Sequence, residues 1–157
     1  METNISRINR AANDKLNEWV PLLLRIPLAI VVFPHGAQKL FGWFGGYGFD
    51  GTMKYFTDIV GMPWIVGLLV ILMETVGAFL LAGGLATRIM ALSYTLLGFG
   101  IMSTSLLKNG FFMNWYGNQE GEGIEYFILW FGISIALFIS GGGKYSLDSA
   151  FKNGKSS

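Results

Sequence analysis

Two long stretches without a single charge decide what this chain can fold into. No charged residue occurs between Ile89 and Leu107, and none between Tyr126 and Gly143. Apolar runs of about 18 residues or more are long enough to cross the hydrocarbon core of a bilayer. Two further segments, at 20–41 and 64–84, are as apolar but carry isolated ionisable groups. Charged residues make up 13% of the chain, against about a quarter in a typical soluble domain, and the mean hydropathy is +0.49. The expected fold is all-α: an integral membrane protein with four transmembrane helices at 20–41, 64–84, 88–107 and 124–141. The connections are short enough to make it an antiparallel bundle.

Composition removes several function classes. A net charge of +1 gives no electrostatic basis for nucleic-acid binding. There is no cysteine, so structural disulfides, thiolate zinc sites and cysteine-bound clusters are excluded. His35 is the sole histidine, so bis-histidine haem within the chain is excluded too. Nothing in the sequence indicates a metal, haem or flavin. The string Gly46-Tyr-Gly-Phe-Asp-Gly51 has dinucleotide spacing but follows a membrane span rather than a strand, and Gly141-Gly-Gly-Lys144 lacks phosphate-loop spacing. Both glycine clusters read as sharp turns at the membrane surface.

Residues 1–19 are polar, yet Ile5, Ile8, Ala12, Leu16 and Trp19 recur at helical spacing. A short interfacial helix with Trp19 at the headgroup level fits this pattern better than a frayed tail. A cleaved signal peptide does not fit, because Arg25 breaks the apolar stretch. The domain division is an amphipathic segment at 1–19, a membrane domain at 20–151 and a polar tail at 152–157. Basic residues set the orientation. Arg7, Arg10, Lys15, Arg88, Lys144, Lys152 and Lys155 fall on one side, against Lys39, Lys54 and Lys108 on the other. The positive-inside rule places both termini in the cytoplasm and the two larger loops in the periplasm or exterior.

Ionisable groups inside spans cost a few kcal/mol each and normally face the bundle interior with partners. Here they are Arg25, His35, Lys39, Glu74 and Glu125, with Arg88 at an edge. Lys39 follows His35 by one turn, and Arg25 falls within roughly 40° of the same helical face. Glu74 sits near the middle of the second span, roughly 15 Å from either end. The expected pairs are Glu125 with Lys39 or His35 at the outer end, and Glu74 with Arg25 or His35 deeper in. Two uses of such a seam are open. The charges dock helices, or they line a polar pocket for a small amphipathic ligand, with His35 and Glu74 as the acid–base groups. Histidine titrates near neutral pH, which suits proton-coupled work. Pro34 frees the Ile30 carbonyl next to it. Trp43, Phe44, Trp64, Trp115 and Tyr116 gather at the outer interface, where aromatic belts are common in any case.

At these positions the chain resembles the DoxX family of small four-helix membrane proteins. Leu24-Arg25 with Phe33-Pro-His35-Gly-Ala-Gln-Lys39-Leu40 is similar to its first-span pattern. Glu74-Thr-Val-Gly77 followed by Gly84-Leu-Ala-Thr87-Arg88 is similar to its second span and turn. Gly123-Ile-Glu125-Tyr126 and Gly143-Lys-Tyr-Ser-Leu-Asp148 are similar to its fourth span and closing motif. The likeness spans residues 20–151. It implies a membrane subunit linked to quinone oxidoreduction, whose polar site is Arg25, His35, Lys39, Glu74, Glu125 and Tyr126, with Arg88 and Asp148 as structural or interface charges. The ligand it implies is a quinone or a similar small redox molecule. Since the chain holds no group that binds a flavin, haem or cluster, electrons would come from a protein partner or from a bound substrate. The alternative is a non-catalytic scaffold or assembly subunit of a larger membrane complex.

Overall fold

A computed structural model describes the backbone of residues 4–154 and the side chains of residues 18–154. The described residues form helices and turns, with no strand among them. Helix α1 runs Asn4–Phe41 and contains Pro21, Pro27 and Pro34. A short helix α2, Gly48–Lys54, continues into a π turn at Tyr55–Ile59. Helix α3 spans Trp64–Gly83, and helix α4 spans Thr87–Asn109. Helix α5 is Glu125–Ser140, and a terminal helix α6 is Leu147–Asn153. Glu18–Phe41 of α1, together with α3 and α4, are long and apolar enough to cross a membrane; α5, with 16 residues, is shorter.

The backbone is helical without a break between 19 and 20, so the expected interfacial segment and first span are one 38-residue helix. The apolar stripe from Ile5 to Leu16 lies outside the described side chains. Of that stripe, Trp19 is described: it is exposed, with its ring 4.4 Å from that of Tyr145. Helix α6 crosses the expected boundary at 152 and includes Lys152, while residues 155–157 lie outside the described residues.

Large apolar side chains cover the outside. Leu23, Ile30, Leu69, Phe79, Leu96, Leu129 and Ile139 are each more than half exposed. A soluble protein rarely shows apolar surface on this scale, whereas lipid solvates it. The interior joins α1, α3, α4 and α5 around Leu28, Val32, Leu81, Ala91, Tyr94, Trp130 and Leu137. Small residues and polar bridges seat these helices, as expected where lipid removes most of the hydrophobic drive between them. Thr95 Oγ1 lies 2.9 Å from Ser134 Oγ across α4 and α5, and Trp130 Nε1 donates to the Tyr94 carbonyl at 2.8 Å. A β-carbon on Gly98 would stand 2.9 Å from the Trp130 and Phe131 rings.

The stagger of α1 against α3 fixes the level of every charge. Gly36 lies against the Glu74 backbone and the Thr75 side chain, and Arg25 against Ala82 and Gly84. Carried along two antiparallel helices, this register places Lys39 level with Ile71, so α3 continues for about one and a half turns beyond the last residue of α1. Helix α2 occupies that space. Its Met53 and the following Phe56 meet Gly67 of α3, and Gly46 closes on the Gln38 backbone. The loop expected over 42–63 is therefore largely helical and lies over the end of α1.

Candidate functional site

Glu74 sits in a π turn, Met73–Gly77, in the middle of α3. One extra residue in such a turn breaks the regular ladder, and π turns recur at functional positions. The Met73 carbonyl is met from the side by Tyr94 Oη, which donates to it at 2.8 Å. Across the turn, Lys39 Nζ donates to Glu74 Oε2 at 2.5 Å, and it also reaches the His35 carbonyl at 3.4 Å. The two ends of the pair differ in burial. The Glu74 side chain is 4% exposed and that of Lys39 24%.

That difference arises because Lys39 faces a cavity. About 260 Å³ of space lies between the end of α1 and α2, bounded by Gln38, Lys39, Tyr47, Thr52, Tyr55 and Phe56. Backbone geometry creates the room. Gly42, Gly45 and Gly48 all have positive φ, the region glycine enters without strain. The chain thereby turns sharply off α1 and back over it. The site combines a cation, an amide and a hydroxyl with two phenol rings and a phenyl ring. The carboxylate beneath Lys39 is closed off from water. Such a pocket can donate hydrogen bonds to a carbonyl or anionic oxygen and stack against a flat ring.

The structure separates the charges that the sequence grouped. Arg25 is fully buried at the opposite end of α1, where Nη1 donates to the Ala82 carbonyl at 3.3 Å and Nη2 to that of Tyr145 at 2.7 Å. Its expected pairing with Glu74 does not form, because their levels on α1 and α3 differ by about two turns. Glu125 pairs with neither Lys39 nor His35. Its Oε1 accepts from the Met113 N–H at 3.1 Å and from Trp115 Nε1 at 2.8 Å, pinning the loop ahead of α5. His35 is exposed on α1 and is not among the residues bounding the cavity. Tyr126 is half-buried against Phe127 and Trp130. Arg88 is exposed, with Nη2 donating to the Ile139 carbonyl at 3.0 Å.

Asp148 closes the other end of the bundle. Its Oδ1 accepts from the Ala86 N–H at 2.7 Å and its Oδ2 from the Thr87 N–H at 2.9 Å, which caps the start of α4. Partial burial raises its pKa, but the Thr87 and Ala86 contacts with nearby Lys152 outweigh this and hold the carboxyl below its ordinary value. The Thr87 hydroxyl is near enough to favour that charge, yet is buried without hydrogen-bond geometry to any described group.

Sequence reasoning missed Gln38, Thr52, Tyr55 and Tyr94 as members of the site. The first three come together only through the fold of α2, while Tyr94 carried a signal, a phenol inside a span that has no charge from Ile89 to Leu107. Among the described residues no group of three or more acidic or histidine side chains is placed to hold a metal ion.

Comparison with known proteins bears on what this geometry belongs to. The DoxX family model matches residues 20–107, more than half of the chain. The chain belongs to the DoxX family. Within reach of this DoxX chain are two bacterial proteins of similar length. One, named "Putative oxidoreductase CatD" from Bacillus subtilis, is 33% identical over 124 residues, 79% of this chain and 82% of that protein. The other, named "Inner membrane protein YphA" from Escherichia coli, is 27% identical over 133 residues, 81% of this chain and 86% of that protein. No solved structure matches. The family match and the three long apolar helices together make this DoxX chain a membrane protein.

Proposed function

We propose that this protein is a membrane subunit of a quinone-linked oxidoreductase system, and that the cavity beside Lys39 receives the ring of a quinone or a similar small redox molecule. In this reading α1, α3, α4 and α5 are four transmembrane helices of a bacterial inner-membrane protein. Both termini are cytoplasmic, and the cavity opens toward the exterior.

One observation carries it: a lysine paired to a sealed carboxylate exposes its ammonium group to a ring-lined cavity. The fit is chemical. Lys39 Nζ and Gln38 Nε2 are donors suited to a ring carbonyl, and Tyr55 and Phe56 offer faces for stacking. A quinone supplies two-electron, two-proton redox chemistry. The protein's residues would bind and orient it, and Glu74, through Lys39, would hold a proton within reach of the donor site. His35 then stands outside the site, on the surface that meets lipid or a partner. Electrons come from a partner protein or a bound reductant, and the oxidoreductase name of the Bacillus subtilis relative agrees with such an assignment.

The second reading, a scaffold or assembly subunit, has its own support. Arg25, Glu125 and Asp148 are all engaged with backbone N–H or carbonyl groups of the chain itself. Extraction separates the two. Protein purified in mild detergent should release quinone into organic solvent in stoichiometric amount, as read by ultraviolet spectrum and mass. Lys39→Met should lose it and His35→Ala should keep it. Parent protein that is empty of quinone and always elutes within a larger complex would replace the first reading with the second.

A further inference from the structure

The larger cavity lies at the opposite end. It measures about 470 Å³ and sits between the first turn of α4, the Gly141–Gly143 loop after α5, and helix α6. Its walls bring together Arg88, Lys152, Ser140, Ser149 and Thr87. Asp148 also borders it, but both of its oxygens are taken by the N–H groups of Ala86 and Thr87. The carboxylate is spent on capping α4, whereas Arg88 gives its one hydrogen bond among the described residues to the Ile139 carbonyl. A guanidinium has five N–H donors and a planar fork suited to phosphate oxygens. The Thr87 hydroxyl, fully buried and close to the Asp148 carboxylate, lies on the same wall.

The rim is of the opposite character. Ile89 at the start of α4 is 64% exposed, and Phe151 of α6 is 62% exposed. Phe151 and Leu147 lie one turn apart on α6, and both are exposed, with Lys152 next to them. Such a short helix presents an apolar face at a bilayer surface and a cation at the headgroup level. Beyond the rim, Leu92, Leu96 and Phe99 of α4, and Ile135 and Phe138 of α5, continue as exposed apolar surface.

We propose that this cavity binds the phosphate of an anionic phospholipid. Arg88 and Lys152 grip the phosphate, the Gly141–Gly143 loop and the serine hydroxyls surround the headgroup, and the acyl chains run along the lipid-facing surface of α4 and α5. A soluble phosphate shares the ionic chemistry, but the apolar rim and the surface beyond it favour the lipid source. Basic pockets at helix ends are a recurrent way for membrane proteins to hold such headgroups. The site is independent of the cavity at Lys39, and it stands whichever reading of that cavity is correct.

The full chain in neutral detergent, followed by tryptophan fluorescence melting, tests this with three probes: short-chain phosphatidylglycerol, short-chain phosphatidylcholine and inorganic phosphate. Phosphatidylglycerol should raise the melting temperature saturably, while phosphatidylcholine and phosphate at equal concentration should leave it unchanged. Lys152→Gln, at an exposed position, should weaken the apparent phosphatidylglycerol affinity roughly fivefold, and R88Q/K152Q should abolish the shift. If the double variant does not fold, the single lysine variant decides. An equal response to phosphatidylcholine, or a Lys152→Gln response equal to that of the parent, would overturn the site. A phosphate response as large as the lipid's would overturn the lipid as its source.

Discussion

Gly36 and Glu74 are in backbone contact: a β-carbon on Gly36 would stand 2.5 Å from both the carbonyl carbon and the carbonyl oxygen of Glu74. The Thr75 methyl stands 2.7 Å from the same point, so α1 is seated closely on the π turn that carries the acidic residue of the site. Gly36→Ala must therefore push the two helices apart. A loss of about 1–3 kcal/mol is expected from overpacking, together with a longer Lys39–Glu74 bond. Gly132→Ala is the control, since nothing lies within 4 Å of its would-be β-carbon. Melting of both variants in detergent should show a clear drop for Gly36→Ala and none for Gly132→Ala.

The Lys39–Glu74 pair should behave as a unit. Glu74→Ala strands an ammonium group against a closed interior, and breaking such a pair by removing one partner costs about 3–5 kcal/mol when burial is complete. The 24% exposure of Lys39 softens this, so about 2 kcal/mol is expected. Lys39→Met with Glu74→Leu should recover most of the loss, with the coupling read from a double-mutant cycle. Equal melting of Glu74→Ala and parent would contradict the geometry.

Tyr94 bears on the same turn from the other side. Its hydroxyl serves the Met73 carbonyl, a group in a region with no water to replace it. Tyr94→Phe leaves that carbonyl unsatisfied and should cost about 1–3 kcal/mol. Amide hydrogen exchange should quicken across Met73–Gly77 and not across α5.

The Asp148 cap makes stability depend on acid. Its pKa is lower in the folded chain than the ordinary 3.8. The sign is that of a depressed carboxylate: the stabilisation is complete above 3.8 and is lost as the pH falls through the lower folded value. Melting temperatures of the parent should decline in this acid range. Asp148→Ala should be less stable at neutral pH, by about 1 kcal/mol of lost cap, and should show a shallower acid decline. Parallel curves for the two proteins would remove Asp148 from this role.

The helical character of the chain was legible because apolar runs such as Ile89–Leu107 admit few alternatives to a membrane helix. The buried status of Arg25 and Glu74 was legible for a related reason, since isolated charges in such spans turn inward. Their partners were not. The expected pairing took no account of the stagger between α1 and α3, which nothing local in the sequence reports. That stagger brings Lys39 to Glu74 and leaves Glu125 to its own loop. The glycines that let α2 fold back were visible, but they read as surface turns, because a positive φ signals a bend without saying what the bend covers. His35 stands apart from the cavity for another reason. Helical periodicity put it on the face of Lys39, but Lys39 has a long flexible stem that reaches across to α3, and an imidazole one turn away does not.

The clasp between Arg25 and Tyr145 orders events during synthesis. The guanidinium lies on α1, ahead of the other described helices, yet the carbonyl that receives its shortest hydrogen bond lies 120 residues further along. Until the end of α5 has been made and has turned back, the first helix carries an incompletely satisfied cation. That cation gains its shortest hydrogen bond only once the residues after α5 are in place.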